Sequence, residues 1–522
     1  MISDLELLSR LVLNAVPGSV IGRLLKSVGF SAALAWSLAS AYVEVAMKIV
    51  IRVELITDWG DANTIEVGRI DRPGQTLDPE SVGLSLADGK QLLHNLQQAV
   101  IPAQADEICA LRRICRRCHR WTALKDYRQR KVDTVFGTVS FRSPRIVSCA
   151  CEPPWYLETA FCPLWPIIPE RATPELLALQ AKLAAQMSYR RVVETMREFL
   201  PVSETINHVT VRNRTLRVGT RIDAVELPGA QPRSPTTEWT LAIDGGYVRG
   251  RGKAETRSFE ILTGRLAVPG EKPRVFACVR SELPDLTERL ASLVQTHAGT
   301  PHPRLSVITD GANGIQSIYR QLPFSATPIL DWFHISMRVR YLEQIVRGLL
   351  PRSGTEQYTK RALQTYVNKL RWCFWHANAA KAEQRMRQIS LLCRIVVPQT
   401  QRFARSLEQL AYRLDELFAY LESNHGSTIA YGNHYREHKP ISTAMAESAV
   451  NQVVNARMCK RQHMRWTPRG AHLLAQVRCA VINGDLATKL AAYRARIDKV
   501  PEDVLRFLEF LQQATEAEPH AF

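Results

Sequence analysis

The sequence has no internal repeat and no low-complexity tract, which excludes solenoid and fibrous architectures. It is also poor in acidic residues, because 50 Asp and Glu stand against 68 Lys and Arg and leave a formal net charge of +18. A basic surplus of this size favours a polyanionic partner, and nucleic acid is the first candidate. At 522 residues the chain exceeds the size at which one hydrophobic core keeps growing, so several domains are expected.

A long apolar run is missing as well. The stretch from Ser27 to Val43 is uncharged, but it is short and rich in Ala and Ser. This composition favours a buried or unstructured N-terminal helix over a signal peptide or a membrane span. A strand-like alternation opens directly at Met47. If translation naturally starts there, residues 1–46 are an extension without function.

The eleven cysteines do not follow the pattern of a secreted disulfide framework, because their number is odd and several stand alone in helical stretches. A reducing cytoplasm is therefore the expected location, without a membrane partner. Four of the cysteines form two close pairs, CxxC and CxC, which are Cys115, Cys118, Cys149 and Cys151. Thiolates that converge from two such pairs suit tetrahedral Zn²⁺, so a zinc-ribbon-like module with a structural zinc ion is predicted over residues 109–165.

The second cysteine pair is tighter than a standard zinc knuckle. His119 or Cys162 is therefore an alternative for one of the four ligands. The segment between the pairs is predicted to contain a turn and strands, and it is rich in Lys and Arg. These cations suit either a DNA contact or a solvated basic face.

The succession of helical and strand-like patterns predicts a multidomain α/β protein. Its parts are an N-terminal extension, an α/β segment, the cysteine-rich module, three short helices, a mixed α/β domain, an almost entirely helical segment and a C-terminal helical region. Their boundaries are placed at residues 1–46, 47–108, 109–165, 172–225, 236–335, 336–438 and 440–522.

Three short helices are predicted between residues 174 and 222, with Thr173 as the N-cap of the first. Their lengths and the break between the second and the third suit a helix-turn-helix. The third helix carries Arg and Asn, the side chains that read guanine and adenine edges in the major groove. The candidate DNA-binding residues are Asn207, Arg212, Arg214, Arg217 and Arg221. A solvated basic helix without a DNA role is the alternative.

Two apolar runs each end in an aspartate that is followed by glycine, Asp244 in LAIDGGYVRG and Asp310 in SVITDGANGI. A carboxylate at such a strand end is held by the sheet while it faces solvent, and the glycine permits close approach of a backbone or a phosphate. Phosphodiester cleavage by two metal ions roughly 3.5–4 Å apart requires a further oxygen ligand. The last helical region supplies Glu447, with Asn451 and Arg461 near the same helical face as candidate DNA contacts.

Glu437 competes with Glu447 for the role of third carboxylate. It lies in a predicted loop before Pro440, where no regular helical face supports it. Glu447 is therefore preferred.

Taken together, these segments resemble insertion-sequence transposases that carry an acidic triad on a ribonuclease-H-like fold, most closely the ISKra-type group. The resemblance spans roughly residues 47–490. It is carried by IDGGYVRG, ITDGANGI, ILDWFHI and ESAVNQVVNARMCKRQHMRWTPRGAHLLAQVR. It implies a five-stranded mixed sheet with flanking helices, interrupted by an all-helical insertion before the last catalytic helix. Two Mg²⁺ or Mn²⁺ ions are implied at Asp244, Asp310 and Glu447.

Related Mutator-like and hAT transposases carry a Cys or Asp, two further residues and then His before the insertion. Asp331 and His334 fit this pattern, and the resemblance implies that they support the active site. The implied activity is cleavage at the ends of a DNA element and transfer of the freed 3′ hydroxyl into target DNA. Double-stranded DNA, a second copy of the chain or a larger oligomer, and association with the nucleoid are implied as well. The alternatives are a transposase-derived regulator without chemistry and a nuclease of the same fold without strand transfer.

Overall fold

A computed structural model describes residues 44–57, 60–76, 83–115, 117–151, 160–225, 227, 237–252, 257–268, 270–396, 401–459 and 464–497. Most of the extension expected over residues 1–46 lies outside this part of the chain, as does Arg461. The described residues form two compact units, which we treat separately. The first comprises residues up to 179 together with 189–211, and the second comprises 180–188 and 212–497. The helix-turn-helix domain expected over residues 172–225 stays a prediction.

The first unit is built from two small antiparallel sheets and a long helix that starts with a capping box between Ser85 and Asp88. Valines and a phenylalanine of the second sheet, Val132, Val139 and Phe141, are buried in one cluster with residues of the helix. The order along the chain is β1 (Glu44–Ile56), β2 (Ala62–Thr76), α1 (Leu86–Arg112), β3 (Leu124–Thr134), β4 (Gly137–Val147) and β5 (Ala160–Phe161).

Three short helices follow, as the sequence predicts. They are α2 (Pro174–Ala184), α3 (Tyr189–Phe199) and α4 (His208–Asp223). Thr173 Oγ accepts a long hydrogen bond of 3.4 Å from the N–H of Leu176, so Thr173 caps α2.

The second unit contains a five-stranded mixed sheet, in agreement with the prediction. Its strands are β6 (Glu238–Arg249), β7 (Ser258–Ala267), β8 (Arg274–Cys278), β9 (Arg304–Thr309) and β10 (Ala326–Leu330). They are ordered β10-β9-β6-β7-β8, with β10, β9 and β6 parallel and with β7 antiparallel to both of its neighbours. Helices α5 (Leu286–Ala298) and α6 (Asn313–Arg320) pack on one face, where Leu241, Ile243 and Leu262 are buried.

The opposite face of the sheet is covered by helices from the C-terminal half. In the described residues between 332 and 436 these are α7 (Trp332–Gly348), α8 (Gly354–Trp375), α9 (Ala379–Val396), α10 (Gln401–Ser423) and α11 (Tyr431–Arg436). Their apolar stripes form one core with residues of β6, β9 and β10. None of the described helices has both the length and the apolar character that a bilayer crossing requires.

The C-terminal helical region departs from the continuous α-helix that the sequence predicts after residue 442. It consists of α12 (Ala444–Val450), a π-helix (Asn451–Cys459), α13 (Pro468–Asn483) and α14 (Leu486–Ile497). The buried Arg478 of α13 donates to the backbone carbonyls of Gln452 and Val453, and Trp466 Nε1 donates to that of Met458. These side chains donate to carbonyls that would accept from backbone N–H groups in a regular α-helix.

Asn451 remains one helical turn from Glu447, because its N–H donates to the Glu447 carbonyl. Its side chain is exposed and accepts from Asn455 Nδ2 at 2.7 Å. A π-helix begins at Asn451, and Arg461, which was predicted to lie near the same helical face, is outside the described residues.

Candidate active site

Asp244 and Asp310 lie at the same level of two neighbouring strands. β6 and β9 run parallel, and their register matches Ala242 with Ile308. Each aspartate follows its matched residue by two positions, so both lie on the same face of the sheet. Asp310 comes directly after β9. The strand-end position predicted for Asp244 is wrong, because β6 continues beyond it by pairing with β7.

Asp331 follows β10 and is completely buried. Its backbone N–H donates to the carbonyl of Thr309 at 2.9 Å, which places it beside the end of β9. Its carboxylate accepts from the N–H of Phe333 at 2.7 Å and thereby caps α7. The same carboxylate accepts from Thr443 Oγ and lies 2.8 Å from His334 Nδ1. Since Thr443 precedes α12, one buried carboxylate joins the sheet, α7 and α12.

His334 lies beside the group of aspartates. Its hydrogen bond with Asp331 raises the pKa of the imidazole above its ordinary value, and the negative charges of Asp310 and Asp244 raise this pKa as well, whereas burial opposes them. The imidazole therefore stays protonated to a higher pH than an exposed histidine does. A protonated imidazole at this place can donate to a phosphate oxygen or to a leaving oxygen.

Replacing Asp331 by Asn is expected to lower the pKa of His334 in the metal-free protein, because the closest negative charge is removed. In the wild type, the favourable contribution of His334 to folding is fully present below its unfolded-state pKa of about 6.5 and is lost as pH rises through the higher folded-state value. NMR titration of the His334 ring measures the change, with Asp415→Asn on the exposed side of α10 as the control. An unchanged pKa in Asp331→Asn would contradict this role of Asp331.

Asp244 is electrostatically coupled to the other two carboxylates of the predicted triad. Burial raises the pKa of its carboxyl group, and the negative charges of Asp310 and Glu447 raise it further. The N–H of Gly245, which donates to Asp244 Oδ1 at 2.7 Å, and the charge of His334 act in the opposite direction. A divalent cation bound among these groups would relieve the repulsion.

Glu447 rather than Glu437 belongs to this group. The N–H of Glu447 donates to the carbonyl of Thr443 at 2.8 Å, so Glu447 lies in the first turn of α12. Glu437 ends α11, is exposed and forms an ion pair with Lys439 at 3.2 Å. The preference for Glu447 that the sequence suggests therefore agrees with the positions of both residues.

Gly246 lets the C-terminal helices approach the sheet beside Asp244. A Cβ atom at Gly246 would lie 3.0 Å from Val450 Cγ1 and 3.1 Å from Val454 Cγ2. Such distances leave no room for a larger residue without movement of the helices. The second glycine after Asp244 thus admits the helical segments that follow Glu447.

The loop that carries Asp310 is braced by the end of α10. Tyr420 Oη donates to the carbonyl of Asp310 at 2.7 Å, and the N–H of Ala312 donates to Asp310 Oδ1 at 2.9 Å. Gly311 has a φ of +84°, and a Cβ atom there would lie 2.5 Å from Oδ1 of the buried Asn424. The helical segment between β10 and α12 therefore fixes the backbone next to Asp310.

Replacing Gly311 by Ala is expected to lower the free energy of unfolding by about 2–4 kcal/mol, because it adds a clash with Asn424 to the cost of a left-handed backbone. Gly426 is a matched control, since its φ is +83° and a Cβ atom there meets nothing within 4 Å. Gly426→Ala should cost about 1–2 kcal/mol. Urea denaturation measures both variants, and equal losses would show that the Asn424 contact does not constrain the loop.

Arg265 is a cation on the Asp244 face of the sheet that the sequence analysis does not single out. It lies opposite Ala242 in the pairing of β6 with β7, and its Nη2 donates to Gln452 Oε1 at 2.8 Å. Burial lowers the pKa of its guanidinium, although arginine remains charged in proteins. The strand-like alternation of SFEILTGRLA could have indicated this position. Arg265 lies two residues from Thr263 and therefore on the same face, and Thr263 pairs with Asp244 on the neighbouring strand.

The donor set fits hard divalent cations. Asp244 and Asp310 are half-buried and Glu447 is exposed, and carboxylate oxygens are the ligands that Mg²⁺ and Mn²⁺ prefer. In the described part of the chain, the oxygens of these three residues do not lie within 4.8 Å of one another as a set. Two ions roughly 3.5–4 Å apart spread their ligands more widely than one ion does.

Four cysteines of the first unit form a cluster that could hold a metal ion such as zinc. Their Sγ atoms all lie within 4.8 Å of one another, and Cys115–Cys151 and Cys118–Cys149 are each 3.4 Å apart. Thiolates bound to one zinc ion at about 2.3 Å have separations of roughly 3.8 Å in a tetrahedron. A backbone hydrogen bond from Cys118 lowers the pKa of Cys115 to about 6, whereas the hydrogen bond with Cys115 raises the pKa of Cys151 to about 12. A bound metal ion would favour the thiolate form of both.

The two alternative ligands lie outside this cluster. His119 has a φ of +55°, and its N–H donates to the Cys115 carbonyl at 2.9 Å, so it shapes the turn after the first cysteine. Cys162 contacts Arg130 Nη1 at 3.3 Å and Ser143 Oγ at 3.1 Å. The described geometry therefore favours the set of four cysteines.

Arg214 lies on the buried side of α4, so its predicted place on a DNA-reading face is wrong. It is 8% exposed and shares a helical stripe with the buried Thr215, Val218 and Ile222. Residues three or four positions apart lie on the same side of a helix, so Arg214 is buried together with the apolar side chains of this stripe.

The other candidates on these helices have different surroundings. Asn207 is exposed and precedes α4, where its Oδ1 accepts from backbone N–H groups at 3.0 and 2.9 Å, so it caps the helix. Arg212 and Arg221 are half-buried, and the Arg221 guanidinium lies 5.7 Å from the ring centre of Tyr493. Arg217 is exposed. The five candidates therefore do not form one exposed face.

No protein-family model matches this chain, and no curated protein sequence matches it significantly. The function is therefore inferred from the chain's own residues. These are Asp244 and Asp310 on one face of the mixed sheet, Glu447, whose charge raises the pKa of Asp244, and the cluster of four cysteines.

Proposed function

We propose that this chain is a DNA transposase, an enzyme that cuts and joins DNA by means of metal ions held between three carboxylates. The meeting of Asp244, Asp310 and Glu447 supports this proposal most strongly. The register brings the first two together, and the pKa of Asp244 is raised by burial and, in addition, by the charges of Asp310 and Glu447. Like charges that converge in a half-buried place are unfavourable by themselves, and such clusters occur at functional sites.

The fold proposed for the second unit is ribonuclease-H-like. It has a five-stranded mixed sheet, helices on both faces and a helical segment between β10 and α12. These are the features that the resemblance to insertion-sequence transposases implies. The helical segment separates Asp310 from Glu447 in sequence, and the charges of both residues raise the pKa of Asp244 in addition to burial.

In the proposed reaction, Asp244, Asp310 and Glu447 would hold two Mg²⁺ or Mn²⁺ ions, which activate water or a 3′ hydroxyl and stabilise the leaving oxygen. His334 is placed to donate a proton or a hydrogen bond to a phosphate oxygen. Asp331 is completely buried and acts as a positioning residue for His334 and for α12. Arg265 offers a positive charge to the DNA backbone on the same face of the sheet.

The remaining features are assigned to DNA binding and assembly. The cysteine cluster would hold a structural zinc ion, and the exposed Arg217 and Asn451 are candidate DNA contacts. The net charge of +18 suits a partner that is double-stranded DNA and a location on the nucleoid. Two ends of an element must be held together during transposition, so a dimer or a larger assembly is part of the proposal.

Duplexes taken from the DNA that flanks the gene test this proposal. They are labelled and incubated with the purified protein, a target plasmid and Mg²⁺ or Mn²⁺. A transposase nicks the duplex at a fixed position and joins the freed 3′ end to the plasmid. Nicks without joined product would indicate a nuclease of the same fold. Binding without nicks in either metal would contradict both enzymes and indicate a transposase-derived regulator.

A further inference from the structure

The outer side of the β3–β4 hairpin in the first unit is an exposed polar and basic surface. The pairing of the strands matches Lys131 with Ser140 and Gln129 with Arg142, so these side chains lie on the same side of the hairpin. We call this surface the hairpin face, and its residues are Tyr127, Gln129, Lys131, Ser140 and Arg142. All of them are exposed.

The hairpin that carries this face is held in place on its other side. Val132, Val139 and Phe141 alternate with the exposed residues and are buried against α1. Cys118 precedes β3 and Cys149 follows β4, and both belong to the cysteine cluster. A bound metal would therefore tie the two strands together at their open end.

The carboxylates of the hairpin have partners other than Lys131 and Arg142, the two cations of the hairpin face. Asp126 forms its ion pair with Arg145 at the open end. Asp133, near the turn, accepts from Thr138 Oγ at 2.7 Å. The guanidinium of Arg142 lies 4.7 Å from the ring centre of Tyr127, which orients it along the face.

We propose that the hairpin face binds duplex DNA by entering the major groove as a two-stranded ribbon. The major groove of B-DNA is about 12 Å wide and admits such a ribbon. Gln129 and Arg142 are direct cross-strand neighbours, and glutamine and arginine pair with adenine and guanine edges. Lys131 lies two residues from Gln129 on the same side, where it would reach a phosphate.

Duplex DNA suits this face better than a single strand does. Binding of unpaired bases relies on aromatic rings that are free to stack. Tyr127 is the aromatic residue of the hairpin face, and the guanidinium of Arg142 already stacks over its ring. The inference depends on the proposed function only for the choice of DNA as the partner, and it needs no cleavage chemistry.

Fluorescence anisotropy of the full-length protein with a short labelled duplex of random sequence, without Mg²⁺ and over a series of salt concentrations, tests the inference. The double variant Lys131→Ala/Arg142→Ala should bind about ten-fold or more weakly at low salt. The slope of log K against log salt concentration should fall in magnitude by about 1, which corresponds to the lost phosphate contact of Lys131. Gln129→Ala should leave this slope unchanged but alter the sequences selected from a random pool.

The matched control is Lys48→Ala/Arg52→Ala. It removes the same two charges from exposed side chains of the first unit, but these lie 4.0 Å from Asp71 and Glu66 on the neighbouring strand. An equal loss of slope in both double variants would overturn the inference, because net charge alone would then explain binding. Tighter binding of a single strand than of the duplex, or a hairpin variant that binds normally, would overturn it as well.

Failure of this inference is distinguishable from failure of the proposed function. If the hairpin variant loses duplex binding while the wild type never nicks DNA, the hairpin face is supported and the transposase proposal fails. If the hairpin variant binds and nicks like the wild type, the hairpin face fails alone. Zinc content and thermal unfolding of the variant verify that its fold is intact.

Discussion

Asp244→Asn and Asp310→Asn are each expected to lower the rate of metal-dependent DNA nicking by at least about 1,000-fold. Asparagine keeps the size of the side chain and the oxygen that accepts from the N–H of Gly245 or Ala312. It removes the negative charge that binds a divalent cation. Single-turnover nicking of a labelled duplex in saturating Mg²⁺ measures the effect, with Asp285→Asn, an exposed residue before α5, as the control.

The same substitutions have a second expected result, which separates loss of chemistry from loss of fold. Asp244 is destabilised as a carboxylate by burial and by its charged neighbours, so Asp244→Asn should unfold at the same or a higher temperature than the wild type in the absence of metal. Mg²⁺ should stabilise the wild type more than the variant. A variant that loses activity together with several degrees of thermal stability would contradict this interpretation.

Loss of the metal from the cysteine cluster is expected to unfold the part of the first unit around β3 and β4. Structural zinc sites bind with apparent free energies of about 10–16 kcal/mol, which equals or exceeds the whole stability of a typical domain. Cys118→Ser should abolish stoichiometric zinc binding and expose the hairpin to proteolysis. Native mass spectrometry measures one zinc ion per chain in the wild type and none in the variant.

Cys162 and His119 supply the controls for the zinc prediction. Both are close to the cluster in sequence, but neither belongs to it, because Cys162 contacts Arg130 and Ser143 instead. Cys162→Ser and His119→Ala should retain one zinc ion per chain. Loss of zinc in Cys162→Ser and its retention in Cys151→Ser would show that the ligand set is different.

Local patterns were sufficient to predict the cysteine cluster and the position of Asp310 directly after a strand. Two close cysteine pairs joined by a hairpin must meet if the hairpin forms, and the sheet does bring Cys115 and Cys151 together. Asp310 follows a short apolar run that forms a buried strand with no competing pattern. For the cysteine cluster and for Asp310, the local structure is determined by residues that lie close to the site in sequence.

The features that the sequence did not predict depend on distant partners. β6 extends beyond Asp244 because β7 continues to pair with it after β9 has ended. The π-helix depends on Arg478, which reaches back from the following helix to two carbonyls. Arg214 has the charge of a DNA contact, but its spacing from Val218 and Ile222 places it on the buried stripe. At Arg214 the charge indicates a DNA contact, whereas the helical periodicity indicates burial. The packing of α4 buries the residue.

The helical segment between β10 and α12 also determines when the site becomes complete during protein synthesis. A chain is made from its N-terminus, so Asp244 and Asp310 exist long before Glu447. A product that ends after α10 has Tyr420 and Asn424 to brace the Asp310 loop, but it lacks the third carboxylate. Under the proposed function, such a truncated chain would retain the hairpin face and occupy DNA without cutting it. Premature termination in this segment would therefore leave a chain that has the hairpin face and two of the three carboxylates.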